Sequence, residues 1–139
     1  DGKEFEKRAS CVANEYGGFV AVDDLKLNGK LTLGENTADN GGARISLMAL
    51  HKEIAQDPTS KAAQKIDGYT SDQRFFLGFG RVWCQKQRPE YQRMLVSVDP
   101  HSPGKYRVNG VLENMPEFEQ AWSCKAGQPM VSANACRVW

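Results

Sequence analysis

The sequence predicts a mainly α-helical chain with long irregular connections, and three observations predict it. Apolar residues recur at helical spacing in most segments; capping residues or prolines open several of them; polar stretches rich in Pro and Gly separate them. The chain has 139 residues, a length that suits one domain or a piece of a larger one.

Taken in order, Glu4 to Tyr16 carries Phe5, Ala9 and Val12 on one helical face, and Gly17-Gly18 is expected to supply a left-handed stop. Leu25, Leu27, Leu31 and Leu33 alternate around Asn28-Gly29, a local hairpin signal. A long helix is predicted from Leu33 to about Ala55, with Leu33, Thr37, Ala38, Gly41, Ile45, Met48, Ala49 and Lys52 along its apolar stripe. Gly41-Gly42 in its middle costs about 1 kcal/mol per residue relative to Ala, which close approach of a neighbouring helix would compensate. Asp57-Pro58-Thr59-Ser60 breaks this helix, and a polar linker runs to Tyr69. Thr70 with Gln73 forms a capping box for a helix from Ser71 to about Gln87, whose face is Phe75, Phe76, Phe79, Val82 and Trp83. Pro89 opens another helix to about Val98, and a last one starts at Pro116. Between them, Asn109-Gly110 reads locally as a hairpin turn.

Several function classes are excluded. With 18 Lys+Arg against 17 Asp+Glu the formal net charge is +1, and there is no basic stripe, so nucleic acid is not expected as a partner. No run approaches the roughly 18 apolar residues of a membrane span, so no membrane contact is expected from these residues. The two histidines, His51 and His101, are too far apart for a His-Glu-x-x-His zinc helix or a two-Cys-two-His finger. The four cysteines, Cys11, Cys84, Cys124 and Cys136, lack metal-ligand spacing, leaving disulfides or buried thiols, with three full pairings open.

Glu35 and Asp39 stand four apart on one helix face. An isolated pair of this kind near a helix N-terminus is usually solvated, favoured there by about 0.3–1 kcal/mol. Here Asn40-Gly41-Gly42 follows at once and thins the helix on the same side, so a second helix can approach. Acids buried in that way need a metal or a paired Arg or His.

The segment Gly34-Glu35-Asn36-Thr37-Ala38-Asp39-Asn40-Gly41-Gly42 resembles the second zinc motif of the neprilysin and endothelin-converting-enzyme family of zinc metallopeptidases. The resemblance continues through Phe75-Phe76-Leu77, Val82-Trp83-Cys84, Arg88-Pro89-Glu90-Tyr91 and His101-Ser102-Pro103-Gly104 to Cys136-Arg137-Val138-Trp139. It implies that residues 1–139 are the C-terminal portion of a larger zincin-type catalytic domain, helical with long irregular loops.

By this resemblance Glu35 is the third protein ligand of one zinc ion. Two further ligands and the general-base Glu would lie on a His-Glu-x-x-His helix upstream of Asp1. Asp39 would accept a hydrogen bond from a zinc-binding imidazole and fix its orientation. His101, in a loop stiffened by Pro and Gly, would donate to the oxyanion formed when water attacks the peptide carbonyl. Arg107 would hold a substrate carbonyl, and Val82 and Trp83 would edge the pocket for the side chain just after the cut. The resemblance makes residues 103–113 a short helix rather than a hairpin. It pairs Cys11 with Cys136 and gives Cys84 and Cys124 partners upstream.

The implied activity is metalloendopeptidase cleavage on the amino side of hydrophobic residues. The implied partners are peptide substrates and the upstream part of the same enzyme. The parent would be secreted or membrane-anchored through an absent N-terminal segment, on the extracellular or periplasmic side, and this segment alone would be inactive. A non-catalytic secreted binding module on the same fold is the alternative. A two-carboxylate hydrolase is weaker, because acids one turn apart on one helix flank nothing. Phe75, Phe76 and Phe79 are assigned to the core; His51, Lys52, Glu53 and the pair Asp23-Asp24 are read as solvated.

Overall fold

Helix α1 (Gly2–Gly18) buries Ala9, Val12 and Tyr16 and runs to the second glycine of Gly17-Gly18. The expected left-handed stop is absent: the helix ends on Phe19, which is extended at φ −74° and ψ 135°. The computed structural model, which describes all 139 residues, then places a short antiparallel pair, β1 (Val20–Val22) and β2 (Leu25–Lys26). Its turn lies at Asp23-Asp24, with Asp23 at φ 50°, and not at Asn28-Gly29. Asn28 instead starts a turn, accepting from the Leu31 N–H at its side chain and from the Thr32 N–H at its carbonyl. Gly29 presses on α1, where a Cβ would stand 1.9 Å from the Ala13 carbonyl oxygen. Tertiary contact, not hairpin chemistry, therefore explains this Asn-Gly.

Helix α2 (Leu33–Gln56) has the predicted length but a different inner face. The buried residues are Asn36, Thr37, Asn40, Gly41, Ala43 and Leu47, while Ile45 and Met48 are 68% and 69% exposed. Hydrogen bonds make the polar stripe buriable: the Asn36 amide donates to Thr32 Oγ1, and the Asn40 amide to the Asn36 carbonyl. No helix occupies the space at Gly41; the C-terminal Trp139 indole does, 2.7 Å from where a Cβ would sit, and Gly42 faces open space.

The stretch 57–69 folds back on itself and is held by Arg74, whose guanidinium donates to the carbonyls of Lys61, Ala62, Gln64 and Tyr69. The capping box of α3 (Ser71–Val82) has both its bonds, Gln73 N–H to Thr70 Oγ1 and Thr70 N–H to Gln73 Oε1. The helix ends at Val82, five residues before the expected Gln87. Trp83 turns out of it to stack on Arg107, and the chain runs without regular structure to Pro89, the first residue of α4 (Pro89–Val98). Helix α5 (Gly104–Leu112) replaces the hairpin that Asn109-Gly110 suggests; Gly110 lies against Tyr16, 2.6 Å from where its Cβ would be. Helix α6 (Pro116–Trp122) closes on left-handed Ser123.

Two cores result. One joins Val12, Tyr16, Leu27, Tyr106, Cys136 and Val138; the other joins Ala43, Leu47, Phe76, Val111, Leu112 and Met115, with Phe75 and Phe79 packed on it. Fully buried Asn114 ties them to the C-terminus: its side chain donates to Glu15 and accepts from the Cys136 N–H, and its carbonyl accepts from Arg44. Cys11 and Cys136 are disulfide-bonded across 125 residues, as the resemblance implies, while Cys84 and Cys124 are free. Closing so long a loop contributes up to about 4–5 kcal/mol on the chain-entropy model.

Candidate active site

The first two turns of α2 carry Glu35 and Asp39, and the loop 99–103 is bolted across them. The bolt is a buried hydrogen bond from the Ser102 hydroxyl to Asn36 Oδ1, 2.8 Å. It sets His101 beside Glu35, with Nε2 3.4 Å from Glu35 Oε2. Helix α5 starts directly after that loop and brings Arg107 in one turn later.

Arg107 forks onto Asp39, Nε to Oδ2 at 2.6 Å and Nη2 to Oδ1 at 2.8 Å. The same Nη2 lies 3.2 Å from Glu35 Oε2. The Arg107 and Asp39 side chains are only 11% and 12% exposed, so their charges compensate each other in a poorly hydrated place. The Asp39 hydrogen bonds hold the guanidinium above its ordinary pKa. Trp83 covers its face, ring centroid 4.0 Å from Cζ, and completes the immobilisation. Of the two acids only Asp39 is inward; Glu35 is half-exposed.

His101 is fixed from behind. Its Nδ1 stands 2.7 Å from Asp99 Oδ1, and its backbone N–H donates to the same oxygen at 2.9 Å. That backbone bond leads the causes that hold the Asp99 carboxyl below the usual carboxylate range. A carboxylate only accepts, so the ring donates from Nδ1 and Nε2 is the nitrogen directed at Glu35. Asp99 was not among the residues singled out in the sequence; its placement two residues before His101 is the signal that could have found it.

Glu35, Asp39, His101, Arg107 and Trp83 thus converge. Val82 does not join them: it is 74% exposed and lines an open groove between α2 and α3 with Ala38, Asp39, Gly42 and Phe79. Neighbours in sequence, Val82 and Trp83 face different concavities. The sequence places Val82 on an apolar helix face, and the structure leaves that face uncovered. His51, read as solvated, pairs with Asp72 at 2.8 Å, and Asp23 pairs with Arg93 at 2.7 Å; both pairs are exposed.

No group of three His, Cys, Asp or Glu side chains is close enough to hold a metal ion. What this site does offer a cation is one half-exposed carboxylate, Glu35. Both contacts of Glu35 use Oε2, so Oε1 remains for a ligand bond.

Residues 1–138 match the model of peptidase family M13. The chain belongs to that family. Among curated relatives, neprilysin-1 of Caenorhabditis elegans is 40% identical over 138 residues, covering 98% of this chain and 18% of the relative. Endothelin-converting enzyme 1 of Rattus norvegicus is 37% identical over 135 residues, covering 97% and 18%. Among solved structures, the inhibitor complex of the Mycobacterium tuberculosis zinc metalloprotease Zmp1 superposes with a TM-score of 0.88 at 31% identity, over 99% of this chain and 21% of that one. A Haemonchus galactose-containing glycoprotein complex does so with 0.88 at 30%, over 99% and 24%. The chain therefore spans about a fifth of the relatives it matches. The helical architecture of this M13 chain is that of the matching part of a zinc metalloprotease. No helix in it is long and apolar enough to cross a membrane.

Proposed function

We propose that this chain is the C-terminal portion of a zinc metalloendopeptidase catalytic domain and supplies its third zinc ligand, its transition-state donor and its substrate-positioning arginine. The observation that carries the reading is the convergence of Glu35, His101 and Arg107 around one carboxylate oxygen, Glu35 Oε2. Glu35 Oε1 suits zinc, and an upstream His-Glu-x-x-His helix brings the other two ligands and the general base. Zinc, when bound, polarises the scissile carbonyl and lowers the pKa of its water.

This chain's own residues do the rest. His101 keeps Nδ1 on Asp99, which leaves Nε2 as the ring nitrogen directed toward the oxyanion. Arg107, forked by Asp39 and stacked by Trp83, keeps Nη1 for a substrate carbonyl. Asp39 uses one lone pair of each oxygen on that fork, and it also lines the α2/α3 groove. A helix seated there can donate an imidazole N–H to it. Exposed Val82 lines the same groove and supports burial there by the upstream part of the enzyme. One carboxylate cannot retain zinc, so the isolated segment is inactive.

The substrates in this reading are peptides, cut before a hydrophobic residue; Val82 and Trp83 face different concavities and do not by themselves form one pocket for its side chain. The Cys11–Cys136 disulfide supports an oxidising location, so the parent is secreted or anchored with this part outside. The test is His101→Phe in the enzyme that contains this chain. Turnover falls about 10²–10³-fold while zinc content is kept. Absence of chelator-sensitive peptide hydrolysis in the unsubstituted enzyme would instead support the non-catalytic binding module.

A further inference from the structure

Beside the Arg107 site, between α4, the 84–88 segment and the 99–103 loop, lies a cavity of about 170 Å³. Trp83, His101 and Arg107 form its wall toward the site; of the rest, Leu27, Leu95 and Val96 are apolar, and Gln85, Gln87 and Gln92 contribute three carboxamides. We infer that this cavity is a substrate subsite for an uncharged hydrogen-bonding side chain, a carboxamide or hydroxyl, with Gln87 and Gln92 as its specificity-determining residues. The inference rests on the peptidase reading and deepens it.

The chemistry of the lining decides the class of side chain. The ionisable groups on the wall are Asp99, His101 and Arg107. A charged side chain entering here loses its hydration and meets only charges already paired within the chain, Asp99 with His101 and Arg107 with Asp39 and Glu35. An apolar one leaves the carboxamides without partners once water is displaced. A carboxamide or hydroxyl matches them, because each Gln offers both an N–H₂ donor and a carbonyl acceptor.

Size agrees. The space holds more than one water but is smaller than the roughly 300–1,000 Å³ typical of whole-ligand sites, which fits one side chain of a longer substrate. Position agrees too. Arg107 grips the peptide backbone in the proposed function, and a residue near the gripped carbonyl can reach a cavity that shares Arg107 and Trp83 as walls. The sequence gives only a weak signal for it, three glutamines within eight residues around Arg88-Pro89.

The experiment uses the zinc-loaded enzyme that contains this chain and peptides identical except at one position flanking the cut, where Gln, Glu or Leu is placed. These three side chains have similar size and differ in charge and hydrogen bonding. At one position, kcat/KM is expected to be about 10-fold or more higher for Gln than for Glu or Leu. Gln87→Leu with Gln92→Leu is expected to erase that preference while cleavage of the Leu peptide continues, which shows the variant is folded. Equal cleavage of all three peptides at every position, or a preference that survives the double substitution, overturns the inference. No cleavage of any peptide by the unsubstituted enzyme overturns the peptidase reading instead.

Discussion

Arg107 and Asp39, 68 residues apart, meet in a two-bond fork at 2.6 and 2.8 Å with both side chains about nine-tenths buried. Neither charge has an alternative partner of equal geometry. Arg107→Ala leaves Asp39 uncompensated and is expected to cost about 3–5 kcal/mol. The paired change Asp39→Asn with Arg107→Ala is expected to cost less than the sum of the two single changes. Chemical denaturation of the four members of the cycle measures this; additive effects would contradict the coupling. Arg107→Lys cannot restore the fork, because an ammonium is a point donor.

Gly29 and Gly42 are expected to respond oppositely to alanine. A Cβ at 29 runs into the α1 backbone, so Gly29→Ala is expected to destabilise by about 3 kcal/mol or more. A Cβ at 42 meets nothing within this chain, so Gly42→Ala is expected to stabilise the isolated chain by up to about 1 kcal/mol through helix propensity. Thermal unfolding of both variants checks the contrast. In the larger enzyme Gly42→Ala is expected to lose its gain if a helix occupies the groove.

Burial pushes the Glu15 carboxyl up to about 7, against the opposing hydrogen bond from Asn114. The native state therefore holds a proton that the unfolded chain has already lost between its ordinary carboxylate pKa and about 7. Stability is greatest below that window and falls as pH rises through it. Glu15→Gln keeps an acceptor for Asn114 and cannot ionise. It is expected to stabilise the protein by about 1–2 kcal/mol at pH 8, allowing for the partial exposure of Glu15, and to flatten the slope between pH 5 and 8. An unchanged slope would assign the pH dependence elsewhere.

Arg74 closes the stretch 57–69 through the carbonyls of Lys61, Ala62, Gln64 and Tyr69. Arg74→Ala is expected to raise amide hydrogen exchange in 57–69 while protection in the neighbouring α2 core persists. Uniform loss of protection would mean that this arginine stabilises the whole fold rather than one loop.

Much of this was legible in the sequence, and the errors share causes. Helix identity followed from periodicity and caps: Thr70/Gln73 and Pro89 opened their helices where local chemistry said they would. The inner face of α2 departs from its apolar stripe because Asn36 and Asn40 are buried by hydrogen bonds that only the fold supplies, while Ile45 and Met48 face outward. Asn28-Gly29 and Asn109-Gly110 looked like turns, yet each glycine answers to a packing partner distant in sequence, α1 in one case and Tyr16 in the other. Helix α3 ends earlier than its pattern predicts because Trp83 leaves the helix for Arg107, which nothing local announces. Glu35, Asp39, His101 and Arg107 were legible as a set only through the motif resemblance. Their spacing alone said nothing of the Arg107 fork or of Asp99 behind His101.

The central claim is that Glu35 binds zinc, and zinc content tests it most directly. Purify the enzyme that contains this chain beside its Glu35→Gln variant, dialyse both against the same buffer, and count zinc per molecule by elemental analysis. One ion per molecule in the parent and almost none in a folded variant is the predicted result. Equal zinc in both would contradict it.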